Sequence, residues 1–104
     1  MATYKTCLSQ RAAQDLLNIV IYITNELKAP EVALNLSKKI DEAIGSLETM
    51  PERIGFVKDE RLATKGIRKL MIERYFIFFT INDPEKTVNI VTVQYARRDW
   101  KNLI

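Results

Sequence analysis

The chain has 104 residues, 47% of them hydrophobic and 28% charged, which is the balance of one globular domain and excludes a disordered or fibrous chain. It holds a single cysteine and no histidine, which excludes an intrachain disulfide, a histidine base and an ordinary structural zinc site. The net charge is +3, and it is unevenly spread. Residues 1–50 carry five basic and six acidic side chains, whereas residues 51–104 carry eleven and seven. The basic excess therefore lies in the second half, where it suits an anionic partner, either nucleic acid or an acidic protein. No apolar run approaches the length of a membrane span. Met1–Gln10 does not read as a signal sequence, so the expected compartment is the reducing cytoplasm. Neither a cofactor nor a metal is expected.

The first element is a strand over Thr3–Leu8, in which Tyr4, Thr6 and Leu8 alternate with Lys5 and Cys7. A cysteine in such a strand is expected to be a buried, inert thiol. Ser9 follows as a helix cap, because its hydroxyl can accept from a free N–H of the first turn. Ala13, Leu16, Leu17, Val20, Ile23 and Leu27 recur at the three-to-four spacing of an amphipathic helix, and Ile19 and Ile21 widen the stripe. Pro30 and Glu31 open a second helix, the proline because it lacks the N–H that a first turn leaves unpaired, the glutamate because it favours the positive helix end. The second stripe is Ala33, Leu36, Ile40, Ala43, Ile44 and Leu47, and Met50-Pro51 ends it. Helices joined by about three residues pack as an antiparallel hairpin.

Pro51–Thr64 has neither helical nor strand period and reads as an exposed loop. Strands are expected over Ile67–Ile72, Tyr75–Ile81 and Thr87–Tyr95, with a turn at Asn82–Lys86 and a less marked one at Glu73-Arg74. Tyr75–Phe79 is almost continuously apolar, so it should be the strand most buried on both faces. Asp99 is a cap for a last short helix, Trp100–Leu103, whose Trp100 and Leu103 pack it on the sheet. The fold class is α+β: an N-terminal strand, then an antiparallel helical hairpin on one face of a twisted, mainly antiparallel four-stranded sheet, then a short C-terminal helix. The opposite, concave face should be partly open, with the basic second half supplying it and its rim.

The ordered set of these pieces resembles the RelE/ParE superfamily of toxins from bacterial type II toxin–antitoxin systems, over nearly the whole chain. The resemblance is carried by the helix from Ser9 through Asp15, Tyr22 and Ile23, by Leu27, Pro30 and Ala33, and by Leu47 to Pro51. It continues through Gly66, Arg68, Leu70 and Ile72, then Tyr75–Phe79, Val88–Val93, and Tyr95-Ala96-Arg97-Arg98-Asp99. RelE-like members cleave messenger RNA in the ribosomal A site, and ParE-like members inhibit DNA gyrase. In both, an acidic and partly disordered antitoxin wraps the toxin and folds as it binds. The resemblance thus implies a cognate acidic antitoxin and either DNA gyrase or the ribosome with its message as partners.

RNA cleavage through the 2′-hydroxyl needs a base, an acid and cations around the pentavalent phosphate. RelE-like nucleases build that set on the concave sheet from lysines, arginines and a terminal tyrosine. The catalytic candidates here are Arg68, Tyr95, Arg97 and Arg98; for a partner or nucleic acid they are Lys65, Arg74, Arg97 and Arg98. Lys69, Glu60 and Glu73 are further possibilities. Arg68 and Lys69 alternate, so only one of them can reach the concave face. Two departures stand out. Phe76 follows Tyr75 where many RelE-like enzymes carry an arginine, and Tyr95-Ala96 stands where they carry a basic pair. With no histidine to substitute, and with tyrosine a poor base because its pKa is about 10, the set is incomplete and the balance tilts toward a ParE-like gyrase inhibitor. A ribosome-dependent endoribonuclease and a toxin-fold binding module without activity are the alternatives. Arg98-Asp99 also admits a plain reading as a cap and surface ion pair, and Lys38-Lys39 and Asp41-Glu42 read as the solvated face of the second helix.

Overall fold

The structure is a computed structural model and describes residues 3–98 and residue 100. Its elements are β1 (Lys5–Leu8), α1 (Gln10–Ile21), a π-helical turn (Tyr22–Glu26), α2 (Pro30–Ser46), a 3-10 turn (Pro51–Arg53), α3 (Glu60–Thr64), β2 (Arg68–Ile72), β3 (Tyr75–Asn82) and β4 (Thr87–Tyr95). The sheet runs β1-β4-β3-β2. β1 lies parallel to β4, and the other two pairs are antiparallel. Phe78 faces Thr92 and Phe79 faces Ile90, so Val91 is an extra residue that bulges β4 and sharpens its local twist.

Ser9 caps α1 as expected, its hydroxyl accepting from the Ala12 N–H at 2.9 Å. The buried face of α1 keeps Leu16, Val20 and Ile23 of the expected stripe, with Ile19 beside them, and takes Ala12 in place of Ala13. Ala12 and Ile23 are buried, with Leu16, Ile19 and Val20 packed beside them, whereas Ala13, Leu17 and Leu27 are exposed. Ala12/Ala13 and Leu16/Leu17 offer two equally spaced stripes, and periodicity cannot choose between them. Asp15 makes the choice, because its carboxylate accepts from the Val93 N–H at 3.1 Å and from the Thr92 hydroxyl. The α2 stripe holds at every position: Ala33, Leu36, Ile40, Ala43, Ile44 and Leu47 are all buried. These helices cover one face of the sheet, over Ile77, Phe79, Val88, Ile90 and Val93.

Two expectations are corrected. Cys7 is exposed, because β1 is an edge strand and Cys7 is in register with the exposed Asn89 on the face away from the hairpin. Pro51–Thr64 is not a bare loop. Asp59 caps α3 by accepting from the Leu62 N–H at 3.1 Å. The helix ends with Gly66 at φ 83, its N–H bonded to the Ala63 carbonyl, and with the Ile67 N–H bonded to the Leu62 carbonyl. That double closure needs a left-handed residue, which glycine supplies without steric cost. It turns Val57, Leu62 and Ile67 onto Phe78, on the sheet face opposite the hairpin. A segment this short carries too few residues to display a period, so its packing is invisible to pattern analysis.

Ile77, Phe78 and Phe79 are fully buried, so β3 is sandwiched as expected; Tyr75 and Phe76 are half-buried. Trp100 packs on the sheet with its ring 4.8 Å from that of Phe78. The expected cap at Asp99 and the helix through Leu103 lie outside the described residues.

Candidate functional site: a cleft between the hairpin and the sheet end

β3 begins and β4 ends at the same end of the sheet, where Tyr75 and Tyr95 are cross-strand partners with ring centroids 5.5 Å apart and edge to face. The turn that leads into β3 is only Glu73-Arg74. Glu73 takes φ 54, a left-handed conformation uncommon outside glycine, and the Arg74 carbonyl accepts from the Ala96 N–H at 2.8 Å. This bond ties the chain beyond β4 to the turn. A cleft of about 1050 Å³ opens between this sheet end and the hairpin.

Its walls are apolar: Ile19, Tyr22, Leu27, Val32 and Leu36 from the hairpin face the two tyrosines. The π turn contributes to that wall, because the Leu27 N–H reaches back to the Tyr22 carbonyl at 3.3 Å and widens the helix there. Such turns mark functional sites often. Burial raises the pKa of Tyr75 above its ordinary value, with Tyr95 and Tyr22 adding to the effect.

The rim is cationic. Lys39, Arg74 and Arg98 line it. Lys39 donates to Glu73 at 2.5 Å, and the lysine holds the glutamate below the usual carboxylate range. Arg74 and Arg98 are exposed, and neither pairs with a carboxylate among the described residues. Asp15 lines the cleft as well, with its carboxylate bound to β4 as described above. Gln94 donates to the Thr92 hydroxyl at 2.7 Å, so the buried polar pair beneath the cleft is satisfied.

The expected site residues divide between two places. Tyr95, Arg74 and Arg98 come together in the cleft, and Arg97 is exposed one residue away in the chain. Arg68 pairs with Phe79 at the far end of β2, four register steps from the Ile72–Tyr75–Tyr95 row, roughly 13 Å at the rise of a strand. Its guanidinium donates to the Ile54 carbonyl at 2.6 Å and the Glu52 carbonyl at 3.2 Å, and it stacks over Phe56 at 4.0 Å. Lys65 is the C-cap of α3, and Glu60 lies in its first turn. Of Arg68 and Lys69, it is Lys69 that faces away from the hairpin, with its ammonium 4.4 Å from the Phe76 ring centre and 5.4 Å from that of Trp100. Tyr22, Val32 and Lys39 were not expected here. Lys39 looked like one more charge on a solvated helix face, and only the fold brings Glu73 within its reach.

Among the described residues, no helix is long and apolar enough to cross a membrane, and no three potential ligands gather into a metal site.

No individually curated protein matches the chain. Solved structures do. The chromosomal ParDE toxin–antitoxin system of P. aeruginosa gives a TM-score of 0.74 at 22% identity, covering 91% of this chain and 98% of that one. The RelBE2 toxin–antitoxin complex of Mycobacterium tuberculosis gives 0.63 at 22% identity, covering 91% and 93%. A mutant of the E. coli toxin RelE in the free state gives 0.64 at 12% identity, covering 91% and 85%. At these identities the likeness is one of fold. The family described as the ParE toxin of the type II toxin–antitoxin system parDE matches residues 7–100. The chain therefore belongs to the ParE toxin family, within the RelE/ParE superfamily of type II toxins.

Proposed function

We propose that the chain is a growth-arresting toxin of the ParE kind, which acts in the cytoplasm by binding DNA gyrase and is held inactive by a cognate acidic antitoxin. The observation that carries this reading is the chemistry of the sheet face opposite the hairpin. Phe76, Phe78 and Trp100 pack together there, with the Lys69 ammonium over Phe76 and Trp100. Cleavage of RNA needs a base, an acid and several cations converging on one phosphate, and that aromatic floor does not assemble them. Arg68, the first cation of the expected set, is engaged by two backbone carbonyls and a ring. The family match and the likeness to a ParDE system point the same way. The antitoxin reading draws on the likeness to solved toxin–antitoxin complexes and on a cleft with apolar walls and cations at its rim.

A RelE-like, ribosome-dependent endoribonuclease is the second reading. It is favoured by one feature, the gathering of Tyr95, Arg74 and Arg98 at one end of the sheet. A supercoiling assay with purified gyrase and relaxed plasmid tests the first reading. Loss of supercoiling on addition of the purified toxin, with recovery when the antitoxin is added, is the expected result. Full supercoiling at a large molar excess of toxin refutes gyrase as the target.

A further inference from the structure

The Lys39–Glu73 contact is a partition. Both residues line the cleft, and both line a second, shallower hollow of about 390 Å³ completed by Glu42, Ala43, Met71 and Ile72. Beyond that hollow runs the outer edge of β2. Phe56 bridges this edge at Arg68, and the Gly55 carbonyl accepts from the Lys69 N–H. From Leu70 to Ile72 no strand pairs with it among the described residues. Met71 is exposed there. The partition joins α2 to the β2–β3 turn through two side chains that are each about half exposed, 57% and 50%. An ion pair so open to water adds little net stability, because both charges are well solvated when apart.

On the cleft side of the partition, the exposed charges beyond Glu73 among the described residues are cationic. Arg74 and Arg98 project without a carboxylate partner among the described residues. The two acidic side chains of the cleft are both engaged, Asp15 by β4 and Glu73 by Lys39. Among the described residues, Glu73 is thus the one carboxylate seated on the cations of this rim, and it belongs to the chain itself.

We infer that Glu73 is a built-in competitor: it occupies on Lys39 the place taken by a carboxylate of an acidic amphipathic segment when that segment fills the cleft. The inference rests on the proposal that the partner is an acidic antitoxin, and it names where and how that partner engages. The apolar residues of the segment bury against Tyr22, Leu27, Val32 and Tyr75, and its other acidic groups meet Arg74 and Arg98. Exchange of one exposed carboxylate for another on Lys39 costs little. Release of Glu73 then opens the cleft into the hollow beside the outer edge of β2 at Met71.

A purely structural tie between α2 and the turn makes the opposite forecast from a competitor, which gives a sharp test. Glu73→Gln and Lys39→Gln break the same contact, so a tie predicts changes of the same sign. A competitor predicts opposite signs and, because Glu73 competes only for Lys39, no gain from Glu73→Gln in a Lys39→Gln background, whereas a general charge effect would persist there. The probe is the cognate acidic antitoxin of the proposed function, fluorescently labelled and titrated against the unaltered toxin and both variants at low and high salt. Glu73→Gln should bind about 2- to 5-fold more tightly, and Lys39→Gln about as much more weakly with a shallower salt dependence. Both variants should keep the unaltered melting temperature within a few degrees, since both side chains are exposed. Shifts of the same sign, or none in either variant, overturn the exchange while leaving the antitoxin in place. Failure of the unaltered chain to bind the antitoxin removes the antitoxin reading, and the competitor with it.

Discussion

On the hairpin side of the sheet, Phe79, Val88, Ile90 and Val93 lie beneath two long amphipathic helices; on the other side, Phe78 lies beneath Val57, Leu62 and Ile67, drawn from a segment with no repeating pattern. The first side is built from periodic elements and leaves a cleft at its end. The second is closed by one short capped helix and a cluster of aromatic rings. The difference teaches that the face opposite the hairpin is no open platform, and on the proposed reading the partner meets the cleft instead. Apolar side chains and exposed cations gather in the cleft at the sheet end, whereas the face opposite the hairpin spends its aromatics on its own packing.

The largest expected effects test whether both sides belong to one cooperative unit. Ile40→Ala on the hairpin side and Leu62→Ala on the other each remove a buried aliphatic side chain, and each should cost about 2–5 kcal/mol. Urea denaturation followed by circular dichroism measures this, and the midpoint should fall in both variants. A Leu62→Ala loss below about 0.5 kcal/mol, the level of an ordinary surface change, would mean that the second side is a detachable flap.

Asp15→Ala comes next. It leaves the Val93 N–H and the buried Thr92 hydroxyl without their acceptor, a loss of about 1–3 kcal/mol. Hydrogen exchange should quicken at Val93 first, because that amide loses its own bond. Unchanged protection there would show that the Asp15 bond does not hold α1 to β4.

The arginines separate the two places where site residues were expected. Arg68→Ala should cost about 1–3 kcal/mol, since it removes charge-assisted bonds to two carbonyls and a stacking contact. Arg74→Ala and Arg98→Ala should change stability by no more than about 0.5 kcal/mol while weakening antitoxin binding. Stability and binding measured side by side in the three variants check this division, and a stability-neutral Arg68→Ala would return that residue to the list of functional candidates.

The smallest effect is a pH dependence at the edge of the sheet. The Tyr4 hydroxyl donates to Asp83 at 2.6 Å, and this bond above all pushes its pKa up to about 12, with desolvation and the nearby charges of Asp83 and Glu52 adding to it. A tyrosine whose folded pKa lies above its unfolded value of about 10 stabilises the fold fully below pH 10. That contribution is lost as pH rises from about 10 to about 12. The urea midpoint should therefore fall more steeply over that window in the unaltered chain than in Tyr4→Phe; equal slopes would contradict the assignment.

Much of this was legible beforehand. The α2 stripe, the Ser9 cap and the order of the three antiparallel strands follow from spacing and cap chemistry, since each involves neighbours along one element. What was not legible involves choices that spacing leaves open or contacts between distant segments. Two stripes of equal quality ran along α1, and a bond from Asp15 to β4 selected between them. Cys7 looked interior because it sits in a strand, and it is exposed because it lies, with Asn89, on the face of the edge strand away from the hairpin. The cleft itself was half legible. Tyr95, Arg74 and Arg98 stood out as a cluster of costly polar groups at a strand end, but Lys39 joined them only through the fold. Arg68 stood out equally, and the turn segment over Glu52–Phe56 that engages it carries no pattern to announce it.

The most direct test of the central claim, that this chain acts through a protein target and not by cutting RNA, is a cell-free translation reaction supplied with the purified toxin, followed by primer extension on the message. The account predicts full-length message, with and without ribosomes, at toxin concentrations that abolish gyrase supercoiling. Cuts at codon boundaries that appear only with ribosomes would contradict it and would make Tyr95, Arg74 and Arg98 the residues to test for catalysis.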